Sequence, residues 1–355
     1  MDTLISPRRR TVLAALGAGA LLAGCSDGLL AGLAKRPVAT FGGPTMGTAW
    51  TAKLAGALEG GLAAKAESAV AAALAGVVER MSAHLAVSEL GRFNRHASTE
   101  PFTVSRETIE VFALARAVSE ETRGAFDVTI APAVDAWGFG PAGRSALPDA
   151  QDLTRLAAAI DFRLIAFDAK AGTLAKARPD VRADLSGIAK GYGVDLAARS
   201  LEALGIRDFM VEAGGEVRAR GTNAEGRPWR IGIERPDREK REALLVVPLA
   251  DLSMATSGDY RIFFEHEGRR YSHEIDPATR EPARGDLASV SVACADCGRA
   301  DALATALFVM GARRGYEWAA DHGEAACFIV RGEGGRLEDR RTPAFAKLGA
   351  ERVAA

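Results

Sequence analysis

The chain has 355 residues, and its 45 lysines and arginines nearly balance 46 aspartates and glutamates, which leaves a formal net charge of -1. The sequence has no basic stripe that could follow a phosphodiester backbone, so we expect no nucleic-acid partner. Length alone favours about two domains of roughly 150 residues, but no stretch beyond residue 40 has the low complexity of a linker. We therefore predict one catalytic domain over residues 40–350.

Residues 1–24 have the pattern of a secretory signal peptide. In SPRRRTVLAALGAGALLAGC, three arginines precede an apolar run that ends in small residues. The run is about a dozen residues long, whereas a membrane-spanning helix needs roughly 20. Arg9 and Arg10 also resemble a twin-arginine export signal, although a plain basic segment looks similar.

The end of this segment predicts a membrane anchor. Residues 22–25, Leu-Ala-Gly-Cys, resemble a bacterial lipobox, which would make Cys25 the first mature residue and attach lipid to it. The alternative is an ordinary signal peptide with an incidental cysteine. We expect a lipid-anchored protein on the periplasmic face of a bacterial membrane, with residues 25–39 as the tether.

Helical and strand patterns then occupy separate blocks of the chain. Amphipathic periodicity predicts helices over residues 62–82, 105–122 and 188–204, the last with Ser186 as its cap and Gly205 as its end signal. Strand-like alternation appears in DFMVEAGGEVRARG, RPWRIGIERP, LADLSMATSG, YRIFFEHEGRRYSHEID and LASVSVACA. Strands so close along a chain are antiparallel neighbours, so the predicted fold class is α+β, with antiparallel sheets and flanking helices.

The last apolar helix, in ADALATALFVMG, carries Asp301 and Thr305 four residues apart and therefore on one face. A carboxylate on an apolar face is costly unless it is paired or holds a cation. Mg²⁺ prefers such oxygen ligands, together with waters and a substrate phosphate. A helix start and Lys190, as a point charge, would complete a site for an anion with a cation in it.

Several common motifs are missing from the sequence. It has neither G-x-G-x-x-G after a strand nor G-x-x-x-x-G-K-[ST], and it lacks the G-x-S-x-G of many serine hydrolases. Cys294 and Cys297 form a C-x-x-C, but no second ligand pair for structural zinc accompanies them. A disulfide, a redox pair and two incidental thiols all remain open for these cysteines.

Eight motifs carry a family resemblance over about residues 40–311. In order, they are PTMGT, SELGRFN, GAFDVTIAPAVDAWGFGP, DLSGIAKGYGVD, VEAGGEVRARG, ATSGDYR, HEIDP and ADALATALFVMG. This series resembles that of the ApbE family, the FAD:protein FMN transferases. The resemblance implies an exported, Mg²⁺-dependent enzyme that splits FAD, attaches FMN to a Thr or Ser of another protein through a phosphoester, and releases AMP. The acceptors it implies are redox proteins, such as subunits of sodium-pumping NADH:quinone reductase (Nqr) or the related Rnf complexes.

The resemblance also implies roles for individual residues. Gly187, through its carbonyl, and the side chains of Asp301 and Thr305 match metal ligands. Met46 matches a residue that packs against the flavin, and His84 stands where family members often carry a stacking Tyr. The positions that match FAD contacts are Met46, His84, Ala125, Phe126, Asp127, Asp184, Lys190, His273 and Ile275.

For catalysis we select His273, Asp301 and Lys190. His273 is the candidate general base toward the acceptor hydroxyl, because histidine titrates near neutral pH. The alternative interpretation is that His273 only binds phosphate or shapes its loop. Asp259 and Asp276 are the alternative bases. Mg²⁺ and Lys190 would neutralise the pyrophosphate during in-line phosphoryl transfer.

Two rival functions would use the same residues. One is a Mg²⁺-dependent FAD pyrophosphatase, which gives FMN and AMP with water as the acceptor. The other is a passive FAD-binding lipoprotein. The presence of both Asp301 and Thr305 argues against passive storage, because binding alone needs no metal facing the phosphates.

Overall fold

The computed structural model describes residues 35–141, 143 and 146–353 of the chain. Its helices are α1 (Leu62–Met81), α2 (Glu89–Arg95), α3 (Arg106–Glu121), α4 (Ala131–Ala136), α5 (Ala150–Leu156), α6 (Ala189–Ala203), α7 (Cys297–Asp321) and α8 (Pro343–Ala346). Its strands are β1 (Val38–Thr45), β2 (Thr48–Ala55), β3 (Phe102–Thr103), β4 (Ile165–Asp168), β5 (Thr173–Lys176), β6 (Phe209–Ala213), β7 (Glu216–Arg220), β8 (Trp229–Glu234), β9 (Ala243–Leu249), β10 (Leu252–Gly258), β11 (Phe263–His266), β12 (Arg269–Ser272), β13 (Ile275–Asp276), β14 (Glu281–Pro282), β15 (Leu287–Cys294), β16 (Ala325–Arg331), β17 (Leu337–Arg341) and β18 (Glu351–Arg352).

An antiparallel sheet forms the middle layer, in the strand order β1-β2-β6-β7-β10-β15-β16-β17. Helices cover one face: α7 lies on β10 and β15, α6 lies on β6 and β7, and α1 and α3 pack against these two helices. The other face packs against the small sheet β18-β9-β8 and α8. The predicted α+β class, with antiparallel sheets and flanking helices, is confirmed.

Strand alternation decides which β7 residues meet the helices. Val217 and Ala219 join the apolar cluster shared with β8 and β9. Because successive side chains of a strand point to opposite faces, Glu216 and Arg218 face α6 and α7. A carboxylate and a guanidinium thus enter the helix-covered side of the sheet.

The helix boundaries agree with the predicted ones to within one residue for α1, α3 and α6. Gly205, with φ of 78°, ends the turn after α6 as predicted. The prediction that Ser186 caps α6 is wrong, since the helix begins after Ile188 without a side-chain cap. The Asp184 carboxylate accepts the Ser186 N–H at 2.8 Å, so residues 184–188 form a turn before the helix starts.

The chain from Lys35 onward forms one compact unit. The first strand begins at Val38, and β18 pairs with β9 close to the end of the chain. The predicted signal peptide and the lipid predicted on Cys25 lie outside the described residues, and the tether boundary stays a prediction. Within residues 35–141, 143 and 146–353, no helix has both the length and the apolar character needed to cross a membrane.

Candidate active site

Lys190 on α6 lies between two buried carboxylates. Its Nζ is 3.2 Å from Oε1 of Glu216 on β7 and 3.5 Å from Oδ1 of Asp301 on α7. Glu216 is 2% exposed and Asp301 is 3% exposed. The carboxylate that the sequence placed on an apolar helix is therefore paired with the predicted lysine.

The second predicted metal residue of α7 lies beside the predicted backbone ligand. A Cβ on Gly187 would approach Thr305 Oγ1 to 2.9 Å and Phe126 Cε2 to 3.2 Å. Thr305 Oγ1 also lies 3.2 Å from Ser257 Oγ at the end of β10. Glycine at 187 thus lets the backbone approach the threonine hydroxyl more closely than any side chain would allow.

We call the side chains of Lys190, Glu216, Ser257, Glu274, Asp301 and Thr305 the polar centre. Burial lowers the pKa of Lys190, but the Asp301 and Glu216 carboxylates outweigh this effect and raise it well above its usual value. Burial and the Asp301 charge raise the pKa of Glu216, although Lys190 opposes them. The two neighbouring carboxylates therefore hold Lys190 in its charged form.

Two hydrogen-bonded links hold α7 against α6. The Gly191 N–H donates to Asp301 Oδ2 at 3.0 Å. Asp195, one turn further along α6, accepts the N–H groups of Cys297 and Gly298 at 3.0 and 2.9 Å, the first two residues of α7. These donors have no partner within their own helix. Asp195 therefore fixes the start of α7 and, with it, the position of Asp301 one turn later on the same helix.

His273 borders the polar centre through the next residue in the chain. Its Nδ1 is 3.2 Å from the Ile262 carbonyl, and its Nε2 is 3.8 Å from Glu274 Oε1. Glu274 is 8% exposed, and burial raises its pKa against the opposing charges of His273 and Lys190. The described contacts thus place the predicted base, through Glu274, on the edge of the predicted metal site.

The alternative bases are engaged elsewhere. Asp259 forms a two-pronged ion pair with Arg331. Asp276 accepts the Ala278 N–H at 2.8 Å and so closes its own turn. A carboxylate held by a guanidinium is a poor proton acceptor, which leaves His273 as the better-placed candidate.

Two other predicted FAD residues, His84 and Asp184, line an open cleft of about 210 Å³. Asp184 precedes Gly187 by three residues, so the cleft adjoins the polar centre along the chain. The Asn94 side chain accepts the Ala183 N–H and donates to the Ala183 carbonyl, both at 2.8 Å, which clamps the backbone next to Asp184. Arg182 and Asp135 form an ion pair on the same cleft wall.

The remaining predicted FAD residues are spread over neighbouring elements. Met46 forms the β1-β2 turn and points to α6, where a Cβ on Gly193 would lie 3.3 Å from its Cε. Ala125 packs against the largest apolar cluster, and Ile275 is buried in the smaller one around Trp137. Contacts of these residues with FAD stay predictions.

Asp127 points inward. Its carboxylate accepts the Thr129 N–H at 2.7 Å, the Thr129 hydroxyl at 2.6 Å and the Phe162 N–H at 2.8 Å. The residue is 7% exposed. In this structure its oxygens fasten the segment after α3, and its contact with FAD stays a prediction.

Sequence reasoning missed Glu216, Ser257, Glu274 and Asp195 as members of the site. Each lies inside a motif quoted above, and Glu216 and Glu274 are acids among strand residues, the same signal that drew attention to Asp301. The cysteines of the C-x-x-C are both free, with Cys297 buried. Burial raises the pKa of both thiols, which disfavours the reactive thiolate.

The donor set suits a hard cation. No three His, Cys, Asp or Glu side chains converge on a metal position in the described part of the chain. The predicted ligands are instead one carboxylate, a hydroxyl and a backbone oxygen, with the Ser257 hydroxyl beside them. Oxygen ligands with few carboxylates fit Mg²⁺, which keeps several waters and shares its shell with substrate phosphates.

Comparison with known proteins gives one consistent family. The sequence model described as the ApbE family matches residues 46–329. Proteins named FAD:protein FMN transferase from Vibrio cholerae and Haemophilus influenzae are each 40% identical, over 93% and 88% of this chain and 96% and 91% of their own lengths. The solved structure titled Flavin Transferase ApbE from Vibrio cholerae superposes with a TM-score of 0.80 at 38% identity, covering 88% of this chain and all of that one. The apo flavinyl transferase ApbE of Pseudomonas stutzeri also has a TM-score of 0.80, at 36% identity over 88% of this chain and 97% of its own.

Proposed function

The chain belongs to the ApbE family and is a flavin transferase, and we propose that it transfers the FMN moiety of FAD to a Thr or Ser hydroxyl with the help of Mg²⁺. AMP is the proposed second product. The observation that carries this proposal is the polar centre, where Asp301 and Thr305 meet Lys190 and the Gly187 backbone. Oxygen donors beside a half-buried lysine suit a site that neutralises a pyrophosphate.

The residues that would hold the metal are Asp301 and Thr305, through side-chain oxygens, and Gly187, through its carbonyl. When bound, Mg²⁺ would neutralise charge on the phosphoryl oxygens. Lys190 adds a second positive charge from α6.

The proposed chemical step is a displacement at the phosphorus of the FMN half. The acceptor hydroxyl oxygen forms a new bond to this phosphorus while the bond to the bridging oxygen breaks. AMP leaves with the bridging oxygen and the electron pair of that bond. Positioning and charge stabilisation supply most of the rate in reactions of this class.

His273 takes the hydroxyl proton in this scheme. The Ile262 carbonyl can only accept a hydrogen bond, so a neutral imidazole carries its hydrogen on Nδ1 and its lone pair on Nε2. Glu274 Oε1 lies 3.8 Å from Nε2, the ring nitrogen that receives the proton.

For the acceptor we propose membrane-bound or extracytoplasmic redox proteins of the Nqr or Rnf type. We further propose that lipid on Cys25 holds the enzyme at the periplasmic face, where such acceptors are found. Confinement to one membrane would raise the effective concentration of enzyme and acceptor for each other.

The test combines the native chain with FAD, Mg²⁺ and an acceptor carrying an exposed Thr, and follows AMP release and flavin fluorescence of the acceptor band on a denaturing gel. Asp301→Asn is expected to lower AMP release and acceptor fluorescence by at least roughly 10–100-fold. That is the loss typical when a residue that hydrogen-bonds to a metal ligand is removed, and Asp301 is proposed to bind the metal directly. Asp296→Asn is the matched control, because Asp296 is exposed at the start of the same helix and its side chain makes no cap hydrogen bond there.

The products separate the rival functions. AMP together with a fluorescent acceptor, both abolished by chelation, supports the transferase. AMP and free FMN without a labelled acceptor would instead favour the pyrophosphatase. Bound FAD with neither product would favour the passive carrier, and an Asp301→Asn rate equal to that of the native chain would contradict the metal site.

A further inference from the structure

Two carboxylates of the polar centre share one ammonium. Lys190 Nζ lies 3.2 Å from Glu216 Oε1 and 3.5 Å from Asp301 Oδ1. Asp301 is also the carboxylate proposed to bind the metal. A divalent cation on Asp301 would repel an ammonium on the same carboxylate strongly in a buried site, so Lys190 needs another partner when the metal arrives.

Glu216 has a free oxygen for this purpose. The residue is 2% exposed, and its Oε2 is buried without a hydrogen-bond partner among the described residues. A buried carboxylate oxygen without a donor is costly. Oε2 and Lys190 Cδ each lie 3.3 Å from the point that a Cβ on Gly214 would occupy, so they border the same small space.

The glycine at the β6-β7 turn keeps that space open. Gly214 has φ of 68°, a left-handed conformation that favours glycine, and a Cβ there would also meet Thr48 Cγ2 at 2.9 Å. An ammonium has three hydrogens to donate, so Lys190 can bond both oxygens of Glu216 after a small movement of its flexible stem.

We propose that Glu216 is a positioning residue that takes the Lys190 ammonium away from Asp301 when a divalent cation binds. This inference rests on the proposed Mg²⁺ site. Lys190 remains in the site as a charge for the pyrophosphate, and Asp301 becomes free to bind metal. Glu216 acts through the lysine and need not touch FAD or the metal itself.

The proposal predicts opposite effects of two substitutions on Mg²⁺ affinity, measured by calorimetry without FAD. Lys190→Met removes the competing cation and is expected to tighten Mg²⁺ binding. Glu216→Gln leaves Asp301 as the one carboxylate that forms an ion pair with Lys190 in the described structure, beside the Ser186 carbonyl at 3.3 Å, and is expected to weaken Mg²⁺ binding by about fivefold or more. Glu212→Gln is the matched control, since Glu212 pairs with Val217 and so lies on the opposite face of the same hairpin.

The double variant isolates the role of the lysine. If Glu216 acts through Lys190, Glu216→Gln weakens Mg²⁺ binding more in the native background than in the Lys190→Met background. An equal or larger loss in the Lys190→Met background would mean that Glu216 attracts the metal directly, and would overturn the proposal. Lys190→Met alone decides the question if Glu216→Gln does not fold, because weaker or unchanged Mg²⁺ binding in that variant contradicts competition.

Failure of the proposed function looks different from failure of this inference. A native chain that binds no Mg²⁺ in the calorimeter, either alone or with inorganic pyrophosphate present, would overturn the metal site and this inference together. A native chain that binds Mg²⁺ while Lys190→Met leaves the affinity unchanged would overturn the inference and leave the metal site intact.

Discussion

The Asp127 carboxyl group is buried and well hydrogen-bonded, but no described cation pairs with it. It accepts three hydrogen bonds from Thr129 and Phe162, yet the described structure gives it no ion pair. Burial raises its pKa to about 6, despite these hydrogen bonds. The native chain therefore binds a proton at this residue more tightly than the unfolded chain does.

This pKa predicts a pH dependence of stability. Between the ordinary value of 3.8 and about 6, the native state holds more protons at Asp127 than the unfolded state, so the free energy of unfolding falls as the pH rises. The decrease is at most about 3 kcal/mol, at roughly 1.4 kcal/mol for each pH unit.

Urea unfolding of the native chain and of Asp127→Asn over this pH range measures the effect. The stability of the native chain relative to the variant is expected to decline from about pH 4 to 6 and then to level off. A difference that stays constant over this range would show that Asp127 has an ordinary pKa in the folded protein.

At the level of secondary-structure elements, the start of α7 depends on a residue of another helix. Asp296 stands at the cap position of α7 but makes no side-chain cap hydrogen bond. Asp195 of α6 supplies both acceptors instead, with Arg218 of β7 at 4.0 Å from its Oδ1. A tertiary contact therefore fixes where α7 starts, and so fixes the position of the predicted metal ligands on this helix.

Asp195→Ala is expected to lower the free energy of unfolding by about 2–6 kcal/mol. The substitution leaves two buried N–H groups without acceptors, and each such group costs about 1–3 kcal/mol. Denaturant unfolding of the native chain, Asp195→Ala and the control Asp296→Ala measures this difference. The control is expected to stay within about 0.5 kcal/mol of the native chain, as exposed substitutions do, and an equal loss in both variants would contradict the role of Asp195.

On the scale of the whole molecule, catalysis and anchoring are expected to be separable. The fold and the polar centre lie within the compact unit from Lys35 onward, while the proposed lipid is on Cys25.

Cys25→Ser is accordingly expected to abolish incorporation of labelled fatty acid and to release the protein from the membrane, while transfer to a soluble acceptor continues at the native rate. Cys294→Ser, which changes a partly buried cysteine of the catalytic unit, is expected to keep the label. Labelled fatty acid in the Cys25→Ser protein would contradict the anchor.

The local patterns of the sequence determined the α+β class, the bounds of α1, α3 and α6, and the pairing of Asp301 and Thr305 on one helix face, because periodicity and helical spacing are properties of neighbouring residues. Family motifs added Lys190, Gly187 and His273. Only the tertiary structure decided three contacts of the site. Glu216 pairs with Lys190, Asp195 accepts the first N–H groups of α7, and Glu274 lies near His273. These partners stand 26, 102 and 1 residues apart. Even the adjacent pair depended on the strand and loop geometry around it, since burial and opposing charge arise only when distant segments pack together.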